Sequence, residues 1–285
     1  MRDERPIPAQ RVSMPHKTAD AGGFSLVELS IVLVILGLLT GGILGGQALI
    51  RAAELRAVPT ELSRYQTASQ TFRDKYFAMP GDMANATSFW GKDAAACNGH
   101  TGSAGTPGTC NGDGNGRLSY AAGGSGATGE YYQFWKQLAL AGLIEGTYTG
   151  IAGPNGGGTG GIDHVVGTNA PASKLATAGW SVIYDPTGSS MYNGTMYPMD
   201  YGNAFQIGAQ AATTYPHNTI IKPEEAWNID TKMDDGVPNQ GKVVAWYHSA
   251  YPCTTATAPT DTNVSYNLSN GTKQCSFLFP KAISG

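Results

Sequence analysis

The sequence predicts an α+β fold: one long amino-terminal α-helix, membrane-spanning in its first half and amphipathic in its second, packed on a carboxy-terminal antiparallel β-sheet head. Three observations predict it. Leu29 to Ile50 is a run of 22 residues without a charge, closed at once by Arg51. From Leu55 the apolar positions continue to step by three and four. Beyond Gly161, short stretches rich in β-branched and aromatic residues alternate with turn residues.

Residues 1–23 carry Arg2, Arg5, Arg11 and Lys17 against Asp3, Glu4 and Asp20, hold three prolines and show no apolar periodicity. They read as a short disordered basic leader. The uncharged run, about 29–50, is long enough to cross a bilayer as a helix. The positive-inside rule keeps the leader in the cytoplasm and exports everything after about Arg51. Glu28 lies one residue before the run, where an ionisable group at the edge of hydrocarbon needs a partner or a function. A secretory signal cut near Ala48 to Ala53 gives no role to Glu28 or to the Gly22-Gly23-Phe24 junction.

The stripe Leu55, Val58, Leu62, Tyr65, Ser69, Phe72 and Tyr76 extends the same helix, with Arg56, Glu61, Arg64, Arg73, Asp74 and Lys75 interleaved as charged positions. The helix is expected over 24–78, roughly 80 Å at 1.5 Å per residue, bending at Pro59 and stopping at Met79-Pro80-Gly81. Gly41-Gly42 and Gly45-Gly46 either loosen it, at about 1 kcal/mol per glycine, or let helices pack closely. The apolar stripe requires a cover. A dimeric coiled coil would supply one, and the later sequence offers a sheet.

Residues 79–285 read as one exported head. With 39 glycines, 16 prolines and 14% charged residues in the whole chain, turns and long loops are favoured over a compact helical enzyme. Loops are expected over 94–129 and 147–161. Glu130 to Ile144 has helical spacing, fraying at Gly142 and Gly146. Strands are expected at Trp180–Tyr184, Ala204–Ile207, Lys242–Tyr247 and Ser276–Phe279, with a hairpin over Met191–Tyr197 signalled by Asn193-Gly194. Pro223-Glu224-Glu225 reads as a helix start.

Candidate chemistry is sparse. Asn111, Asp113 and Asn115, followed by Gly116, place oxygen side chains at alternate positions, as a calcium loop begins. Position twelve of such a loop is Ala122 rather than glutamate, so calcium would need backbone carbonyls or another acid. The other reading is an Asn/Asp-Gly turn series, and Asp234-Asp235-Gly236 raises the same choice. The five histidines are scattered, and no nucleophile elbow, phosphate loop or HExxH motif occurs. A membrane-tethered hydrolase is the enzyme alternative, and no catalytic residue is expected.

Gly23-Phe24-Ser25-Leu26-Val27-Glu28, leading into an uncharged helix with Gly37 inside it, resembles the type IV prepilin family, which includes pilins and the pseudopilins of type II secretion. The resemblance implies cleavage between Gly23 and Phe24 by a prepilin peptidase, N-methylation of Phe24, and polymerisation through the helix by an inner-membrane assembly platform. The precursor would sit in the bacterial inner membrane with its head in the periplasm, then join a homo-oligomeric helical filament. Glu28 would meet the amine of a neighbouring subunit and set register. Met79-Pro80-Gly81-Asp82-Met83, Asn111 to Gly116 and Asp230 to Pro238 are similar to blocks of large pilin-like proteins. Alternatives within the family are a pseudopilin, or a minor tip pilin acting as adhesin or DNA-uptake factor. Loss of the leader leaves 14 of 18 basic and 18 of 21 acidic side chains, a net charge of −4 that gives nucleic acid no global attraction.

Four cysteines, Cys97, Cys110, Cys253 and Cys275, all follow the apolar run, on the side where disulfides persist. Three connectivities exist. Local pairing is expected: Cys97 with Cys110, worth about 3 kcal/mol in the chain-entropy model, and Cys253 with Cys275, which resembles the carboxy-terminal disulfide loop of pilins. Zinc lacks CxxC spacing and a histidine cluster. Some pseudopilins hold calcium in the head, so the resemblance also bears on Asp113.

Overall fold

A computed structural model of the chain describes residues 25–93, 97, 108–119, 129–154, 163–188, 196–211 and 214–283. The leader, Gly23, Phe24 and most of the expected hairpin lie outside the described residues, as do large parts of both glycine-rich loops. The chain divides into two units, Met1–Leu49 and Ile50–Gly285.

Helix α1, Leu26–Tyr76, is continuous through Pro59 and through both glycine pairs. In the first unit its apolar side chains, Leu26 to Leu49, are exposed. It is the one helix among the described residues long and apolar enough to cross a membrane. Thr40 returns its hydroxyl to the Leu36 carbonyl at 2.8 Å, so even this polar side chain is satisfied within the helix.

In the second unit, α1 buries Ala57, Val58, Glu61, Leu62, Tyr65, Ala68, Ser69 and Phe72, a stripe at three- and four-residue intervals. Its cover is a four-stranded antiparallel sheet in the order β1-β2-β4-β3. Strands β1, Ala178–Asp185, and β2, Gly202–Ala209, pair along their full length, from Ala178 opposite Ala209 to Asp185 opposite Gly202. Strand β4, Phe277–Phe279, joins β2 to β3, Val244–Ala245. The strand expected over 242–247 is therefore only two residues long, although Trp246 still donates its N–H to Ser276 at 3.0 Å.

Tyr65 is the hub of the packing. Its ring lies 5.0 Å from Trp135, 5.5 Å from Trp180 and 6.2 Å from Phe205, so α1, the sheet and the helix that carries Trp135 meet on one side chain. Helices α2, Thr87–Trp90, and α3, Glu130–Leu140, follow α1 in the chain. α3 ends before Ile144 because Gly142, at φ 71°, opens a left-handed cap in which Leu143 N–H reaches Leu138 O at 3.0 Å. Helix α4, Pro223–Met233, extends the expected start at Pro223. Disulfides join Cys97 to Cys110 and Cys253 to Cys275, with Cα separations of 5.3 and 4.9 Å.

Candidate functional site

The amino end of α1 is a reciprocal cap. Ser25 N–H donates to Glu28 Oε2 at 2.9 Å, and Val27 N–H donates to Ser25 Oγ at 3.3 Å. The motif is Ser-x-x-Glu, which satisfies two amides that the first helical turn leaves without partners. A carboxylate here also complements the positive end of the helix dipole. Glu28 is exposed, and among the described residues no cation pairs with it. Its chemistry is that of an anchored acceptor, already turned toward the start of its helix and able to take an ammonium. The capping motif was readable in the sequence, but the mismatch of charge and hydrocarbon drew the stronger inference.

Arg51, the residue that closes the uncharged run, clamps α4. Its Nε and Nη2 reach both carboxylate oxygens of Glu225 at 2.7 and 2.6 Å, and its Nη1 reaches Glu54 at 2.9 Å. Glu225 also accepts the Lys222 N–H at 3.0 Å and so caps α4. Burial raises its carboxyl, but Arg51 outweighs this and holds it below the usual carboxylate range. The two-pronged geometry fixes direction as well as distance, which a lysine would not do.

Glu61, one of the charged positions interleaved with the apolar stripe, is the second tie. It is buried, and it accepts from Ser173 Oγ at 2.6 Å, Lys174 N at 2.8 Å and Trp180 Nε1 at 2.7 Å. One carboxylate thus joins α1 to β1 and to the turn before it. Its position, three residues after Val58 and four before Tyr65, was the available signal.

Of the three expected calcium ligands, Asn111 turns away: its Oδ1 accepts the Thr87 N–H at 2.8 Å at the start of α2. Asn115 stays with Asp113, its Nδ2 donating to Asp113 Oδ2 at 2.7 Å, while its Oδ1 accepts the Arg117 N–H at 2.8 Å. Asp113 also meets Asp82 and Glu130, each offering an oxygen within 4.8 Å of the others. Asp82 accepts the amides of Gly114, Asn115 and Gly116 at 2.7, 3.1 and 2.8 Å. Gly112 allows this turn to form, since a Cβ there would meet the Asp82 backbone. Glu130 accepts the amides of Asp113 and Ser119 at 3.0 and 2.8 Å.

Burial pushes the Glu130 carboxyl up to about 7, although those two amides pull it down. Burial also raises Asp82. Such a carboxyl holds its proton in the folded chain, so it costs stability as pH rises from about 4.5 through 7. The three carboxylates are hard oxygen donors, the type that calcium accepts. Asp234 and Asp235 take the amides of Lys242 and Val237 and so close turns, next to the buried Asp230.

His164 makes a separate prediction. It is fully buried between Tyr132 and Tyr215, with ring centroids 4.8 and 5.0 Å away, and among the described residues neither ring nitrogen has a partner. Burial lowers its pKa from 6.5 to about 3. The unfolded chain takes up this proton first, so stability falls as pH drops from about 6.5 toward 3, by on the order of 4 kcal/mol. His164→Phe should flatten the acid side of the stability curve. Denaturant midpoints between pH 4 and 7 that fall equally in both proteins would refute this.

No protein-family model, curated protein or solved structure matches this chain.

Proposed function

We propose that the chain is a structural subunit of a type IV pilus-like filament, made as a membrane-inserted precursor, cleaved after Gly23, N-methylated at Phe24 and polymerised through α1. The observation that carries the reading is the register of Gly23, Phe24 and Glu28 ahead of the uncharged helix. The exposed apolar side chains of Leu26 to Leu49 support it, because they need lipid before assembly and neighbouring helices after it. The head supports it too. Arg51–Glu225 fastens the second half of α1 to α4 and Glu61–Trp180 fastens it to the sheet, so that a force on the helix is carried into the head.

Within the family, the large loop-rich head favours a pilin over a pseudopilin. Antibody raised against the head should decorate filaments in electron micrographs. Labelling along their length marks a bulk subunit and labelling at the tip marks a minor one. Filaments that carry no label anywhere, from cells that make the protein, would count against the proposal.

A further inference from the structure

The far end of α1 carries a cleft that assembly through the other end does not use. The helix stops at Tyr76, and Phe77 follows at φ 54°, in the left-handed region that favours glycine. Its ring is 93% exposed. The left-handed state closes the helix, with the Phe77 N–H on the Arg73 carbonyl at 2.8 Å, and turns the side chain out into solvent. Beside it, the Tyr76 ring is held at 4.6 Å from Phe72, 5.2 Å from Phe89 and 5.1 Å from Trp90, with Phe89 itself half exposed. These rings form a rigid aromatic ledge.

The ledge overlooks a cleft of about 760 Å³, within the range of small-molecule sites. Tyr76 and Phe77 form one wall, and Gln70, Arg73, Asp74 and Asn85 contribute polar groups. Gln70 Nε2 donates to Asp74 Oδ1 at 2.9 Å and so orients that carboxylate. Asp82 lies deeper, its oxygens already occupied by three amides. One arginine against two aspartates discourages a polyanion. Among the described residues no strand borders the cleft, so a peptide finds no sheet edge there to extend.

Flat rings beside an oriented carboxylate and an amide match the two faces of a sugar ring. Its C–H face packs on the aromatic surface, while adjacent hydroxyls donate to a carboxylate and exchange hydrogen bonds with an amide. We propose that this cleft binds an uncharged pyranose saccharide, with Phe77 as the stacking platform and Asp74 and Asn85 receiving its hydroxyls. The cleft would make the head a glycan-binding surface, whether or not the chain polymerises.

The test uses the full chain in phosphocholine micelles, which present no sugar headgroup. Saturation-transfer NMR is recorded with lactose, maltose, chitobiose and mannobiose. At least one should receive saturation, with its Kd at least tenfold weaker in both Phe77→Gly and Asp74→Ala. Phe77→Gly suits the backbone at that position, so its Tm should equal or exceed that of the native chain and loss of binding is not loss of folding. Absence of transfer to all four sugars overturns the proposal. So does transfer that either variant leaves unchanged, and so does transfer to a peptide pool where no sugar receives any.

Discussion

Glu28→Ala is expected to leave cleavage after Gly23 intact and to lower filament yield by more than about tenfold. The proposed cut lies on the leader side of the helix, after Gly23, five residues before Glu28, so the account places no demand on that charge at the cleavage step. Assembly does require it under this account. When apolar helices leave lipid and pack side by side, the amine at each new amino terminus enters a water-poor core, where an unpaired charge costs several kcal/mol. The acid of an adjoining subunit offsets that cost only when the helices are staggered to bring the two groups together. Such a pair serves register better than net stability.

The cap at Ser25 supplies a control. Glu28 accepts the Ser25 amide within its own helix, and the loss of such a cap typically costs about 1 kcal/mol. Glu28→Gln retains an oxygen for that amide but removes the charge. The account therefore predicts that glutamine fails to assemble as alanine does. Sheared filaments from both variants, measured by immunoblot and electron microscopy beside the cleaved pool in membranes, decide the matter. Normal yield from Glu28→Gln would assign Glu28 to capping alone.

Glu61→Ala should destabilise the head by about 3–5 kcal/mol, the largest effect expected from a single side chain in it. Three donors, Ser173 Oγ, Lys174 N and Trp180 Nε1, lose their acceptor at once, and a void opens beside the packed Trp180 ring. At this size the change corresponds to a fall in Tm of roughly 8–15 °C. Glu61→Gln keeps one oxygen and should fall between the two. Thermal unfolding of the full chain in micelles measures both variants. A Tm within 2 °C of the native value for Glu61→Ala would show that the tie contributes little.

The coarse architecture was legible because it rests on periodicity. The uncharged run and the stripe from Val58 to Phe72 define α1, and short apolar stretches at Trp180, Ala204, Lys242 and Ser276 mark the four strands, the third of them shortened to Val244–Ala245. The disulfides are the two local pairs expected among the three connectivities, the second of them also implied by the resemblance to pilins. Features that depend on distant partners were not legible. Arg51 and Glu225 are 174 residues apart, and nothing near either one names the other. Asp113 meets Asp82 and Glu130 through a turn whose folding depends on Gly112, so the alternating oxygens pointed to Asn115 but not to these two acids, which lie 31 residues before it and 17 after it. Glu61 was hidden for another reason. A charge on a helix reads as surface unless three donors wait for it, and those donors lie more than a hundred residues later.

The amino terminus of the processed chain tests the account most directly. Protein recovered from membranes and from sheared filaments is digested and its first peptide is sequenced by mass spectrometry. The account predicts a chain that begins at Phe24 and carries one methyl group on its terminal nitrogen. A chain that still begins at Met1, or one that starts downstream of Ile50, would contradict it.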